Sequence, residues 1–244
     1  MSDLQQDVPA ALYLIPVTLG NTPISQVLPA YNRHIILGLR HFVVEELRTA
    51  RRFLKQVDKS IDIDSLTFYP MGKHADESLF SSYLSPLRQG ESVGLLSEAG
   101  CPAVADPGAL LVAQAQREGL RVVPLVGPSS ILLAVMAAGF NGQSFAFNGY
   151  LPIDEAQRAK RIKQLEARSL SEGQTQLFIE TPFRNEKLFR DLLKACSPQT
   201  MLCIAAGITT SVEFIRTKSV AQWSKEGLPD IHKVPTIFLI HRSR

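Results

Sequence analysis

Cysteine is scarce in this sequence of 244 residues: Cys101, Cys196 and Cys203 are all it has. Three unevenly spaced thiols cannot build a disulfide framework or a zinc cluster, and an unpaired set suits a reducing cytoplasm. Long apolar runs are missing as well. The longest, Ile131 to Phe140, spans ten residues, against the ~20 needed to cross a bilayer. Charge of one sign is not in excess either: 26 basic and 23 acidic residues leave a net +3, too little to point to a nucleic acid by itself. Histidines 34, 41, 74, 232 and 241 show no metal-ligand spacing. Neither a Walker A lysine–serine pattern nor a G-x-G-x-x-G turn is present, which excludes the simplest nucleotide-binding readings. The opening MSDLQQDVPA is polar and acidic, a lead-in rather than a secretory signal. A cytoplasmic protein without membrane span or metal is the expectation.

What the sequence does contain is ordinary globular material. Its residues are 45% hydrophobic and 20% charged, enough for a large core without staples. The length allows one or two domains. Strand and helix signals alternate, which predicts an α/β fold. Strands are expected at 12–16, 41–45, 92–97 and 120–126, with helices over 48–57 and from Pro107 to just before Gly119. In the second half, helices are expected over 131–138, 154–172, 183–195 and 221–225. Strands there fall at 145–152, 175–180, 201–206, 212–217 and 234–241. Close strand spacing in the second half implies hairpin pairing, so the second sheet should be mixed, beside a mostly parallel first sheet. The boundary is placed near 124–128, giving domains 1–126 and 127–244.

The most informative stretch is Ser97-Glu-Ala-Gly-Cys-Pro-Ala-Val-Ala-Asp-Pro-Gly108. It follows a buried strand and is longer than a plain β–α turn, which has about two to six residues. The carboxyl ends of strands are where open α/β sheets bind ligands. The small residues and Gly100 let a ligand approach the backbone. Asp106 is read two ways: with Pro107 at the first helical position it is a helix cap, and within the loop it is part of a ligand site. Ser129 or Ser130 caps the next helix. Two basic faces stand out. Arg48, Arg51, Arg52 and Lys55 share one helix face beside Glu45 and Glu46. Arg158, Lys160, Arg161, Lys163 and Arg168 crowd a second helix, where a solvated face is the simpler reading.

Taken in order, six blocks resemble the tetrapyrrole methylase superfamily of S-adenosylmethionine-dependent methyltransferases. They are Leu14–Asn21, Glu45–Arg52, Leu96–Gly108, Val123–Ser130, Phe147–Pro152 and Glu180–Arg184, and the resemblance runs from about residue 12 to the end. Within the superfamily it is nearest to the branch that methylates a cytidine 2′-hydroxyl of small-subunit ribosomal RNA. Glu98 and Glu46 stand where the family usually has Asp. Tyr69–Asp76 fills a region usually rich in His and Glu, and Ala205–Thr210 replaces an Arg–Glu pair. These departures concern the methyl acceptor more than the cofactor.

The resemblance implies two α/β domains with S-adenosylmethionine in a cleft between them, usually in a homodimer. By position it assigns Leu19, Glu98, Gly100, Ser130 and Ile131 to the cofactor, with Pro235 and Thr236. Ser97, Ala99, Asp106 and Ser129 join them as members of the same two loops. Glu45 and Glu46 are the candidate proton acceptors, and Arg48, Arg51 and Arg52 the candidate phosphate contacts. Ribosomal RNA or the small subunit is the expected partner. A small acceptor such as a tetrapyrrole, or a cofactor-binding protein that has lost catalysis, are the alternatives.

Overall fold

The computed structural model describes residues 10–72 and 77–243. The polar lead-in and the 73–76 part of the Tyr69–Asp76 block lie outside them. The chain divides into two compact units, Met1–Pro128 and Ser129–Arg244.

The first unit is built on five strands, β1 (Leu12–Ile15), β2 (His41–Val44), β3 (Thr67–Pro70), β4 (Val93–Leu96) and β5 (Val122–Pro124). They lie in the order β3-β2-β4-β1-β5, and every pairing is parallel. Three helices matter here: α1 (Ala30–Gly38), α2 (Leu47–Val57) and α3 (Ala109–Arg117). Alternate strand residues feed two cores. Tyr13, Ile15 and Leu96 pack with Ile35 and Ile36 of α1 and Phe53 and Leu54 of α2. Leu12, Val93 and Leu95 pack with Leu111 and Ala115 of α3 and with Tyr83 and Leu84. Burial on both faces is why these strands read as unbroken apolar runs. β1 and β4 are neighbours whose onward connections run to opposite sides of the sheet. Such divergence opens a crevice at the carboxyl ends of the two strands.

The second unit carries β6 (Phe145–Tyr150), β7 (Thr175–Ile179), β8 (Met201–Ala206), β9 (Phe214–Ser219) and β10 (Thr236–His241) in the order β6-β7-β10-β8-β9. Only β6 and β7 run parallel; the other pairings are antiparallel. The sheet is mixed, as expected. Its helices are α4 (Ser130–Ala138), α5 (Glu155–Glu172), α6 (Asn185–Ala195) and α7 (Val220–Glu226). Ile162, Leu165, Leu188, Leu192 and Trp223 of these helices close a core over Phe178, Ile204 and Phe238.

Several local expectations need correction. Helix α3 starts at Ala109, with Gly108 at its N-cap and φ of 123°, so Asp106 does not cap it and Pro107 is not its first residue. β9 begins two residues later than the pattern placed it. Val212 lies in the preceding turn, where Thr210 donates to the Gly207 carbonyl at 2.9 Å, and the strand runs into the Ser219 capping box of α7. Helix α1 and edge strand β3 had no expected counterpart.

The second basic helix is not simply a solvated face. Arg158 is 3% exposed, and its Nε donates to Asp191 on α6 at 2.7 Å. Its Nη1 donates to the carbonyls of Pro152 and Ile153 at 3.0 and 2.6 Å. One guanidinium thus joins α5, α6 and the turn after β6. The carboxylate balances a buried charge, so removing it leaves that charge uncompensated. Asp191→Ala is expected to lower the stability to urea by about 3–5 kcal/mol. A change below about 1 kcal/mol would show that Arg158 reaches solvent.

Candidate functional site

The loops after β1 and β4 are joined by backbone. Val17 donates to the Gly100 carbonyl at 2.9 Å, and Gly100 donates back to Val17 at 3.1 Å. Gly100 does this at φ of +71°, a region that costs other L-residues strain. A side chain added there would also meet Leu19 at 3.2 Å. Leu19 is thereby held against the Gly100 backbone. The turn after β5 closes on the same place. A Cβ at Gly127 would lie 2.3 Å from Pro16, so only glycine fits. The thiol of Cys101 donates to the Pro128 carbonyl at 3.4 Å.

The rest of the long loop is bent back tightly. Ala103 and Ala105 hold φ of +64° and +63° and Gly108 +123°, and Ala103 donates to the Pro107 carbonyl at 3.3 Å. Two alanines in the left-handed region of one loop are a local cost. The fold accepts it in order to turn Asp106 inward, toward Ser97.

Three carboxylates converge at the ends of β2 and β4. The amide of Glu98 donates to Glu45 Oε2 at 3.2 Å, and the amide of Glu45 donates to the Leu96 carbonyl at 3.3 Å. Burial pushes the Asp106 carboxyl up to about 6, with Glu45 and Glu98 raising it further and a hydrogen bond from Ser97 opposing the rise. Ser97 is buried, and its hydroxyl oxygen lies 3.3 Å from the Ala99 carbonyl. Ala99 and Glu98 are exposed. A crevice floor of small residues under three crowded carboxylates suits a ligand with apolar parts and positive charge. A sulfonium amino acid is such a ligand, and the residues fit it.

Glu46 has a different task. It caps α2, its side chain accepting from the Thr49 amide at 2.7 Å. Bonds from the Arg48 and Thr49 amides hold its carboxyl below the usual range. A carboxylate so engaged is a poor proton acceptor, so of the two glutamates Glu45 is the one facing the other carboxylates. Arg48, Arg51 and Arg52 are all exposed on α2, and Arg51 lies 5.5 Å over the Phe68 ring. That contact fixes one cation of the face and leaves its charge available.

In the second unit, Ser129 caps α4, accepting from the Leu132 amide at 3.4 Å, and Ser130 and Ile131 form its first turn. Pro235 and Thr236 enter β10 where Gly207 donates to the Pro235 carbonyl at 2.9 Å. Two asparagines were missed by sequence reasoning. Buried Asn185 donates to the carbonyls of Ile231 and Val234 at 3.2 and 2.7 Å and to Thr236 Oγ1 at 3.2 Å. Buried Asn32 donates to the Val126 carbonyl at 2.8 Å. Asn185 follows the Glu180–Arg184 block directly and is the one of the pair that a sequence signal could have found. Among the described residues no group of His, Cys, Asp or Glu is arranged to hold a metal, and no helix is long and apolar enough to cross a membrane.

Comparison with known proteins agrees with the fold. "Crystal structure of the methyltransferase CobJ" describes a structure that superposes with a TM-score of 0.62 at 13% identity, covering 96% of this chain and 94% of that one. A uroporphyrin-III C-methyltransferase from Thermus thermophilus, complexed with S-adenosyl homocysteine, superposes at 0.55 and 16% identity over 96% and 98% of the two chains. The fold is therefore that of the two-sheet α/β methyltransferases. Residues 40–222 match the tetrapyrrole (corrin/porphyrin) methylases, and the chain belongs to that family. Among its relatives, the ribosomal RNA small subunit methyltransferase I of Vibrio cholerae is 29% identical over 237 residues, which is 96% of this chain and 77% of the relative.

The buried Asp106 carries a stability signature. Its folded pKa of about 6 lies above the ordinary 3.8, so the folded state holds this proton more tightly. Stability from this group is therefore full below about pH 4 and declines as pH rises through 6. Asp106→Asn should then raise stability by ~1 kcal/mol above pH 6.5 after solvent screening, with the gain vanishing near pH 4. Thermal melts across that range would contradict this if the gain were independent of pH.

Proposed function

We propose that this chain transfers a methyl group from S-adenosylmethionine to a ribose 2′-hydroxyl of small-subunit ribosomal RNA. The observation that carries the reading is the loop Ser97–Gly108, bridged to the end of β1 through Val17 and Gly100 and bordered by the carboxylates of Glu45, Glu98 and Asp106. The similarity to a ribosomal RNA small subunit methyltransferase over 96% of the chain supports the acceptor.

In this reading Leu19, Ser97, Glu98, Ala99 and Gly100 hold the cofactor. The bound cofactor supplies an electrophilic methyl carbon on a sulfonium. The residues of the chain would orient the acceptor hydroxyl toward that carbon. The acceptor hydroxyl would have to give up its proton. Asp106, more basic than an ordinary carboxylate, accepts it. Glu45 keeps Asp106 basic by like charge, and its own position is fixed by the Glu98 amide. Arg48, Arg51 and Arg52 neutralise phosphates of the RNA and set its position without reading its bases. Glu46 holds the start of the helix that carries them.

Incubation with tritiated S-adenosylmethionine and small subunits lacking the modification tests this directly. Label in the ribose of the RNA is expected, rising with pH through a single ionisation near 6. Asp106→Asn should cost roughly 10²–10⁴-fold in kcat, and Glu45→Gln should move the acidic limb to lower pH. Label on a tetrapyrrole and none on RNA would overturn the acceptor; an unchanged profile in Asp106→Asn would overturn the proton acceptor.

A further inference from the structure

The block Glu180–Arg184 has no part in the chemistry above, yet it shapes one end of the second sheet. Parallel strands β6 and β7 end there and antiparallel β10 begins there, since Tyr150 and Ile237 both pair with Ile179. Three large apolar side chains stand exposed on the segments that leave this end: Tyr150 at 60%, Ile153 at 73% and Phe183 at 73%. Cations accompany them. Lys233 lies 5.7 Å over the Phe183 ring, and Arg184 and Lys187 share a small cavity with Ile153.

The patch is pre-set and keeps positive charge. Buried Glu180 binds Arg184 at 2.5 Å and also accepts from the Thr181 amide at 2.7 Å, so the guanidinium is held in place. Glu186 on α6 is paired with Arg190 at 3.2 Å and with His232 at 3.4 Å. Among the described residues Lys187 and Lys233 have no carboxylate partner. Arg158 anchors the Ile153 turn from beneath, and Asn185 anchors the segment before β10. Exposed rings on anchored backbone, flanked by unpaired cations, form a surface on which bases stack while their phosphates are neutralised. The cavity, at about 50 Å³, admits phosphate oxygens or water but no nucleobase, so a base must lie on Phe183 rather than enter.

We propose that this end of the second sheet is a stacking platform for a single-stranded segment of the RNA substrate, with Phe183 as its base-stacking face and Arg184, Lys187 and Lys233 as phosphate contacts. The proposal rests on the RNA reading above. It adds a second contact region, on the same sheet end as Pro235 and Thr236.

The test measures binding of a fluorescein-labelled twelve-nucleotide oligocytidylate by anisotropy across a salt series. Phe183→Ala and Phe183→Leu should each weaken binding roughly ten-fold, whereas Phe183→Trp should stay within about two-fold, because stacking needs a π face and not merely an apolar one. The double variant Lys187→Ala/Lys233→Ala should make the slope of log affinity against log salt shallower by about 1.4. Phe183 is exposed, so these variants should keep wild-type melting temperatures and S-adenosylmethionine affinity. Binding by Phe183→Ala equal to wild type would overturn the platform, and so would Phe183→Leu behaving as Phe183→Trp. A change of oligomeric mass in Phe183→Ala would assign the face to a second copy of the chain instead. Loss of methyl transfer to whole subunits with oligonucleotide binding intact would assign it to a ribosomal protein, also against the proposal. Failure of the RNA reading itself shows separately, as no transfer to subunits by the wild-type protein.

Discussion

The site depends on one short antiparallel bridge between two loops of a parallel sheet. β1 and β4 lie side by side at the centre of the first unit, and their onward chains diverge. Divergence alone would leave two unrelated loops. The reciprocal hydrogen bonds of Val17 and Gly100 turn them into one walled crevice, because they satisfy backbone groups that a ligand pocket would otherwise leave bare. Leu19 beside Gly100, Pro16 against Gly127 and Cys101 on the Pro128 carbonyl follow from that bridge. So does the inward return of the loop that half-buries Asp106 beside Glu45 and Glu98.

Electrostatics then separates three neighbouring carboxylates into distinct roles. Glu46 meets the amides at a helix start and is stabilised as an anion. Glu45 takes the Glu98 amide. Asp106 loses water and gains like-charged neighbours, so its proton is held up to about pH 6. Burial and neighbours, not residue type, lower the pKa of one acid and raise that of another.

Much of this was legible in the sequence, for physical reasons. Both sheets and most helices follow from burial on two faces and from clear end signals such as Ser129 and Gly119 at helix termini. The 97–108 loop stood out in the sequence because its length and small residues have no purpose in a plain turn. The misreadings share one cause, since local patterns carry no tertiary partners. Asp106-Pro107 has the local form of a helix start, but Gly108 at φ of 123° takes the chain elsewhere. Arg158 belongs to a charged helix pattern, and only Asp191, 33 residues away, explains its burial. Asn32 and Asn185 bond to backbone 94 and 46–49 residues distant, which no window along the chain can reveal. Edge strand β3 and helix α1 were missed because their apolar faces are narrow.

The central claim is that the bridged loop Ser97–Gly108 builds the cofactor site. Calorimetric titration with S-adenosyl homocysteine addresses it without needing the acceptor. The account predicts one binding site per chain in the wild type. It also predicts loss of that binding in Gly100→Val, which fills the space beside Leu19 and disfavours the φ of +71°, while the melting transition remains cooperative. Wild-type affinity retained in Gly100→Val would contradict the account, as would a folded wild-type chain that binds no S-adenosyl homocysteine at all.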